Sequence, residues 1–297
     1  MNAPLFKRSS KNEADPAEVV TGWRDLDWER LSHADGVVCA LVEATRAAGD
    51  LALGFFHPGE KTSAAITKKT GGSPVSEADH VVNRYLEQRL RAILPEAGWL
   101  SEESEDSAER LEQDLVLIVD PIDGTRSFVA GERGWAISVG VVYRHRPVIG
   151  IVNAPALGET YVAVRNGGAR LNGREIRVSN RTQLDASALV AGPLALAQEL
   201  RDAGLQFDLL PKIPSLALRI TKVAAGVLDA GLVSANSHDW DIAAADLVVD
   251  EAGGRLATLY GRQLLYNRSG TRHSELAAGS VPILAEITAA AIRAKVQ

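Results

Sequence analysis

Apolar residues recur at helical spacing through residues 31–56, at Val37, Val38, Leu41, Val42, Ala48, Leu51 and Leu53, and predict an amphipathic helix that Gly54 and Pro58 end. Residues 67–76 are rich in Gly, Ser and Thr and predict a loop or hairpin. Ser76 then reads as an N-cap, with Asp79 three residues on, opening a helix to about residue 94 that Pro95 and Gly98 break. Residues 115–119 are uninterrupted apolar positions, the signature of a strand buried on both faces, and the run stops at Asp120. Residues 135–143 and 148–152 predict two strands joined by a basic turn, Arg144-His145-Arg146-Pro147. The β pattern continues at 160–164 and 176–178, with turns at Asn166-Gly167 and Asn172-Gly173.

After Ser179 the pattern alternates: a strand at 187–190, helices at 194–203 and 216–225, a strand at 230–233, a helix at 239–251 stopped by Gly253-Gly254, and a helix at 283–294. The fold class is therefore α/β, an α+β N-terminal half followed by an α/β C-terminal half. The expected units are 29–185 and 186–297. Residues 1–28 are polar and irregular and predict a disordered arm, with Trp23 and Trp28 docking its end on the body.

Composition narrows the setting. Of 297 residues, 46% are hydrophobic and 24% charged, as in ordinary globular chains. No apolar run reaches the roughly 18 to 20 residues that span a bilayer, and residues 1–15 lack the apolar stretch of a secretory signal. Cys39 is the only cysteine, which excludes an internal disulfide and a Cys-based zinc site. A cytoplasmic setting without a membrane span follows. A net charge of -6 argues against nucleic acid as a partner. It leaves room for an anionic small substrate, because a divalent cation inverts the field of an acidic site.

The chemistry concentrates at Asp120-Pro121-Ile122-Asp123-Gly124-Thr125, where a buried strand gives way to a loop. Pro121 stiffens that turn, and Gly124 lets backbone come close. Two carboxylates with a carbonyl between them suit a hard cation, and the amides of Gly124, Thr125 and Arg126 could cradle an anion. Two cations roughly 3.5–4 Å apart could clamp both oxygens of an in-line displacement. Taken alone, such a pair is more simply a capped turn with solvated acids. Asp79 alone is a first-turn acid, and Asp241 in Trp240-Asp241 alone is a dipole-friendly helix start. Ser101-Glu102-Glu103-Ser104 adds a further acidic patch, and the order of the four segments outweighs each one singly.

In that order the chain resembles the inositol monophosphatase family of Mg²⁺-dependent, lithium-sensitive phosphatases, which includes 3′(2′),5′-bisphosphate nucleotidases and histidinol-phosphate phosphatases. The matching pieces are Ser73-Pro74-Val75-Ser76-Glu77-Ala78-Asp79, Ser101-Glu102-Glu103-Ser104, Asp120 through Phe128, and Trp240-Asp241-Ile242-Ala243-Ala244-Ala245, followed by Gly253-Gly254. The resemblance implies a layered α/β/α/β/α sandwich, usually a homodimer, and a metal-dependent phosphoric monoester hydrolase using two to three Mg²⁺. It implies Glu102, Asp120 and the Ile122 carbonyl as ligands of a first ion, and Asp120, Asp123 and Asp241 as ligands of a second. Glu102 would also help hold a third. Thr125 backed by Asp79 would activate the attacking water, with Glu102 joining them in catalysis. Asp123, Gly124 and Thr125 would line the phosphate, and Lys69 would stand near the metal waters.

For the substrate, residues 231–238 carry no carboxylate ahead of Trp240, where the family's inositol enzymes carry a glutamate. The Ser-Pro-Val-Ser start is similar to the nucleotidase and histidinol-phosphate branches. The pattern favours adenosine 3′,5′-bisphosphate, with inositol 1-phosphate and histidinol phosphate as alternatives. Arg126, Ser215, Ser234 and His238 are candidate substrate contacts, each equally readable as a surface charge, an N-cap or a loop polar group. Rival classes fit less well. Haloacid-dehalogenase phosphatases space their Asp pair by one residue, where two stand here. Ser138 lies in a strand pattern rather than a nucleophile turn, no P-loop follows Gly54 or Gly59, and the six histidines lack ligand spacing. A non-catalytic binding protein on the same fold is the alternative from another class.

Overall fold

The computed structural model describes residues 35–68 and 74–296. The N-terminal arm, Lys69 and Ser73 lie outside the described residues. Helix α1 (Asp35–Leu53) presents Leu41 and Ala48 of the predicted face to the interior together with Ala44 and Ala52, whereas Leu51, predicted on that face, is exposed. A short hairpin of β1 (Ile66–Lys68) and β2 (Pro74–Ser76) leads into α2 (Glu77–Ile93), which buries Val82, Leu86 and Leu90. These two helices pack together on one face of a large sheet.

That sheet has seven strands in sequence order: β3 (Gly98–Ser101), β4 (Leu115–Asp123), β5 (Ala136–Tyr143), β6 (Arg146–Ala154), β7 (Glu159–Val164), β8 (Gly168–Leu171) and β9 (Arg174–Glu175). Only the β3–β4 pair is parallel. The predicted basic turn between β5 and β6 is tighter than expected. Arg144 and His145 form a two-residue loop, both with positive φ, tied down by an Asp114–Arg144 ion pair and by His145 Nδ1 at 2.8 Å from the Tyr266 carbonyl. Residues 176–178, expected as a strand, form none: the Ile176 amide donates to the Ala169 carbonyl of β8 at 3.0 Å, and the pairing ends there. The Val178 amide donates to the Ala252 carbonyl instead, so this segment ties the sheet to a helix end.

The second sheet has five strands in the order β11-β10-β12-β14-β13: β10 (Leu189–Ala191), β11 (Asp208–Leu210), β12 (Ala230–Val233), β13 (Arg255–Thr258) and β14 (Leu276–Gly279). Helices α5 (Leu216–Ala224) and α6 (Asp239–Glu251) lie between the two sheets, and α4 (Leu194–Asp202) and α7 (Val281–Val296) cover the far face of the second. The result is the layered α/β/α/β/α sandwich. The middle layer is one hydrophobic core drawing on both sheets, from Ile118 and Val152 to Val233 and Leu276.

Helix α6 sits unusually close to the large sheet. A Cβ on Gly150 would collide with the Ala244 carbonyl, and one on Gly140 would stand 3.3 Å from the Ala243 Cβ. Ala243-Ala244-Ala245 on the helix and glycine on the strands therefore permit a backbone-to-backbone approach that larger side chains forbid.

Candidate active site

Strand β4 runs past the predicted stop at Asp120, as far as Asp123. Asp120 pairs with Ser138 and Asp123 with Ala136, so three steps on β4 match two on β5. This is a β-bulge at Pro121-Ile122. In a regular strand, residues three apart point to opposite faces. The extra residue cancels that alternation and brings both carboxylates to one side. Pro121, which cannot donate to a ladder, occupies a position that needs no donor. The Ile122 amide donates to Asp120 Oδ1 at 3.0 Å, and the Ile122 carbonyl accepts from Thr125 Oγ1 at 3.0 Å.

Two neighbouring elements deliver the next acids. The parallel β3–β4 register sets Ser101 beside Val119, and the Glu102 amide donates to the Val119 carbonyl at 3.3 Å, which places Glu102 next to Asp120. Asn83 of α2 holds that turn, accepting from Ser101 Oγ at 2.6 Å and donating to Ser104 Oγ at 3.0 Å. Asp79 is fully buried in the first turn of α2. Its Oδ2 accepts from the Ser76 amide at 2.8 Å and the Ser76 hydroxyl at 2.6 Å, a capping box, and its Oδ1 accepts from Thr125 Oγ1 at 3.2 Å. Thr125 opens the short helix α3 (Thr125–Val129) after Gly124, whose φ of 90° is a left-handed conformation open to glycine at no cost.

Asp241 comes from the far side, in the first turn of α6. It caps its own helix, accepting from the His238 amide at 2.6 Å. The start of α6 is latched by residues 267–273. Asp239 accepts from the Asn267 amide at 2.9 Å and lies 2.7 Å from His273 Nε2, the Asp239 amide donates to the Thr271 carbonyl, and His238 pairs with Arg272 as a β-bridge. None of these latch residues stands out in the sequence, because they lie in one continuous polar run, 267–274, that reads as an ordinary loop. One oxygen each of Asp120, Asp123 and Asp241 converges within 4.8 Å. Glu102 lies outside that tight trio but is the strongest charged neighbour of Asp120.

The electrostatics follow from burial. Desolvation, then the charges of Glu102, Asp123, Asp241 and Asp79, push the Asp120 carboxyl well above the usual range. Burial lifts Asp123 to about 6, opposed by hydrogen bonds from Ser215 Oγ at 2.6 Å and the Ala217 amide at 2.7 Å. Burial also raises Asp79, against the pull of its Ser76 bonds. Among the described residues no Lys, Arg or His forms an ion pair with Asp120 or Asp123. Buried carboxylates such as Asp120 and Asp123, facing other acids with no ion-pair partner of their own, are stabilised by a proton or a bound cation, and an all-oxygen donor set fits a hard divalent ion.

The structure thus gathers Asp79, Glu102, Asp120, Ile122, Asp123, Gly124, Thr125 and Asp241 in one place. It treats the four candidate substrate contacts differently. Ser215 is fully buried at the N-cap of α5, with its hydroxyl given to Asp123 and accepting from the Leu218 amide, so it anchors a carboxylate rather than facing a ligand. Ser234 is exposed just past β12. His238 is half-buried, stacked on Trp240 at 4.4 Å between ring centroids, with burial and nearby Arg272 depressing its pKa. It therefore offers a neutral ring rather than a cation. Arg126 is exposed on α3.

One residue beside the site was not singled out in the sequence. Arg219, 3% exposed, donates to the Ile213 carbonyl at 3.2 and 2.7 Å and to the Leu232 carbonyl at 2.8 Å. Its signal in the sequence was small, because Arg219 shares the short helix α5 with a second cation, Lys222, and either reads as a solvated charge.

A mixed-sheet sandwich with such an oxygen cluster at a strand bulge defines the frame of a metal-dependent phosphatase, and comparison with known proteins agrees. Residues 33–297 match the model of the inositol monophosphatase family. The chain is 30% identical over 239 residues to the 3′(2′),5′-bisphosphate nucleotidase CysQ of Aggregatibacter actinomycetemcomitans, covering 77% of this chain and 86% of that one. It is 33% identical over 218 residues to an inositol-1-monophosphatase of Mesorhizobium japonicum, covering 69% and 79%. Among solved structures, the extragenic suppressor protein SuhB of Bartonella henselae superposes with a TM-score of 0.74 at 27% identity, covering 86% and 97%. The chain belongs to the inositol monophosphatase family, whose members are metal-dependent phosphatases. Among the described residues no helix is long and apolar enough to cross a membrane.

Proposed function

We propose that this phosphatase is a Mg²⁺-dependent 3′(2′),5′-bisphosphate nucleotidase, releasing phosphate from a nucleoside bisphosphate such as adenosine 3′,5′-bisphosphate. The observation that carries the hydrolytic part is the convergence of Asp120, Asp123 and Asp241 beside the Thr125–Asp79 pair. The nucleotide part is supported by the likeness to CysQ and by the half-buried stack of His238 on Trp240, the residue just before Asp241, an aromatic surface suited to a base.

In this reading Glu102, Asp120 and the Ile122 carbonyl hold one Mg²⁺, Asp120, Asp123 and Asp241 hold a second, and Glu102 contributes to a third. When bound, such ions neutralise the phosphoryl oxygens and make water a stronger acid. The chain supplies the rest. Asp123 and the Gly124 and Thr125 amides line the transferred phosphate. Thr125 Oγ1 accepts a proton from the attacking water as its own proton passes toward Asp79 Oδ1, 3.2 Å away. Burial makes Asp79 a better proton acceptor than an ordinary carboxylate. Two bonds from Ser76 fix its other oxygen, so the basic oxygen faces Thr125. Lithium would compete at the ion that Asp241 completes, and the working form is a cytoplasmic homodimer.

The test is phosphate release from adenosine 3′,5′-bisphosphate, inositol 1-phosphate and histidinol phosphate at fixed Mg²⁺. The expected result is the highest kcat/KM for the nucleotide. A preference for inositol 1-phosphate overturns the nucleotide assignment and leaves the phosphatase.

A further inference from the structure

Glu102 and Asp241 reach the cluster from different sheets, and a buried polar connection away from the cluster joins the elements that carry them. Arg110 is buried in a short helical turn (Ala108–Glu112). Its main chain bears on the first residue of β3, since a Cβ on Gly98 would come within 3.2 Å of the Arg110 Cα. The other end of β3 leads straight into the Glu102 turn. Exposed Asp106 grips the guanidinium, accepting from Nε at 2.6 Å and from Nη2 at 2.9 Å. Nη1 reaches across to the loop between β13 and β14. It donates to Asn267 Oδ1 at 2.7 Å and to the Arg268 carbonyl at 3.1 Å. Asn267 Nδ2 returns a bond to the Arg110 carbonyl at 3.0 Å.

Asn267 passes that contact on to α6. It is buried, with a φ of 51°, a left-handed conformation that asparagine adopts more readily than most residues. Its amide donates to Asp239 Oδ2 at 2.9 Å, and Asp239 opens the helical turn that carries Asp241. The contacts therefore run from Gly98 through Arg110 and Asn267 to Asp239, with Glu102 beyond one end and Asp241 beyond the other. A buried charged connection of this kind is a weak source of stability, and its best-attested use is to fix how elements sit against one another. A planar guanidinium held along two edges fixes rotation as well as distance.

We infer that Arg110 and Asn267 are positioning residues of the metal centre: they set the spacing between the Glu102 turn and the start of α6, and with it the affinity of the cluster for divalent cations. The inference rests on the proposed roles of Glu102 and Asp241 as ligands. It extends them to two side chains that belong to neither the acid cluster nor the Thr125–Asp79 pair.

The experiment titrates Mg²⁺ into the full chain by calorimetry and follows hydrogen exchange in the metal-free protein. Asn267→Gly keeps the left-handed backbone and the amide bond to Asp239 but removes both side-chain bonds to Arg110. It should weaken Mg²⁺ binding about tenfold, the lower end of what partners of metal ligands supply. It should also speed exchange of the Asp239 amide, which donates to the Thr271 carbonyl. Arg110→Met should weaken Mg²⁺ binding similarly, and the two changes together no more than either alone, because each removes the same connection. Phosphate release should fall at limiting Mg²⁺ and recover at saturating Mg²⁺, with KM for the substrate unchanged. Lys222→Met breaks the ion pair with Glu159 on α5 and controls for general loosening of the shared layer. It should lower Tm and leave Mg²⁺ affinity as it was. Full Mg²⁺ affinity in folded Asn267→Gly and Arg110→Met proteins overturns the inference, as does an additive loss in the double variant or an equal loss in Lys222→Met. Asp241→Asn separates the two readings. Normal Mg²⁺ binding by that variant sinks the ligand assignment and the positioning role with it. Lost binding there, with full affinity in Asn267→Gly and Arg110→Met, sinks the positioning role alone.

Discussion

Asp120 shows how one residue can be costly to the fold and necessary to the site. Its carboxyl is 1% exposed and faces other acids, so its folded pKa lies above its unfolded value. An acid shifted upward contributes stability that is fully present below its ordinary pKa and is lost as pH rises through the folded value. For Asp123 that loss runs from about 4 to about 6. The metal-free protein should therefore weaken as pH rises across this window, and a divalent cation should reverse the trend. We expect Mg²⁺ at a hundredfold its pH 8 Kd to stabilise by about 2.7 kcal/mol, raising Tm by about 5–10 °C at pH 8 and hardly at all at pH 5. Asp120→Asn should abolish phosphate release while leaving the metal-free Tm at pH 8 equal to or above wild type, because it removes a buried charge and keeps the acceptor for the Ile122 amide. Near-normal turnover of this variant at saturating Mg²⁺ would remove Asp120 from the ligand set. Thr125→Ala should leave Mg²⁺ binding intact and lower kcat about a hundredfold, the lower end of what positioned proton transfer supplies. Unaltered kcat would exclude Thr125 from the proton path.

Among elements, the helix that carries Asp241 is placed by what is missing from the strands beneath it. Gly150→Leu should push α6 outward, cost at least about 1–3 kcal/mol through overpacking, and weaken Mg²⁺ binding although no ligand is touched. Calorimetric titration with Mg²⁺ reads this directly, and full affinity in a folded Gly150→Leu protein would show that α6 is seated by its other contacts. The helices and the apolar strand before Asp120 were legible in the sequence because their periods are long and regular. β14 was not: Leu-Ala-Ala-Gly has helical composition, and only its central place in the second sheet makes it a strand. β8, β11 and β13 run three or four residues, too short for a period to register. The end of β4 was misplaced because proline and aspartate signal a turn, whereas here they build a bulge. Ser215 carried an N-cap signal, but nothing local could reveal that its hydroxyl reaches Asp123, 92 positions away.

At the scale of the whole molecule, the acids come from α2, the β3 turn, β4 and α6, so the site exists only when both sheets and the shared layer between them have assembled. That layer holds a second perturbed acid. Asp246 of α6, partly exposed as a residue, has its carboxyl drawn out of water against the Tyr266 hydroxyl at 2.8 Å, and burial raises its pKa to about 7. By the same sign rule its contribution to stability is complete below about 4 and is lost as pH rises to about 7. Asp246→Asn should flatten the decline of Tm between pH 5 and 8. An unchanged slope would place that decline in the metal cluster alone.

The bulge in β4 makes one main-chain atom separately addressable. No side-chain substitution can delete a carbonyl, but excising Pro121 would leave Asp-Ile-Asp, whose acids share a face in an unbroken strand while Ile122 rejoins the ladder. Such a shortened chain should keep every acidic side chain and still bind Mg²⁺ less tightly. The deficit would then measure the Ile122 oxygen, and undiminished affinity would mean that the ion never used it.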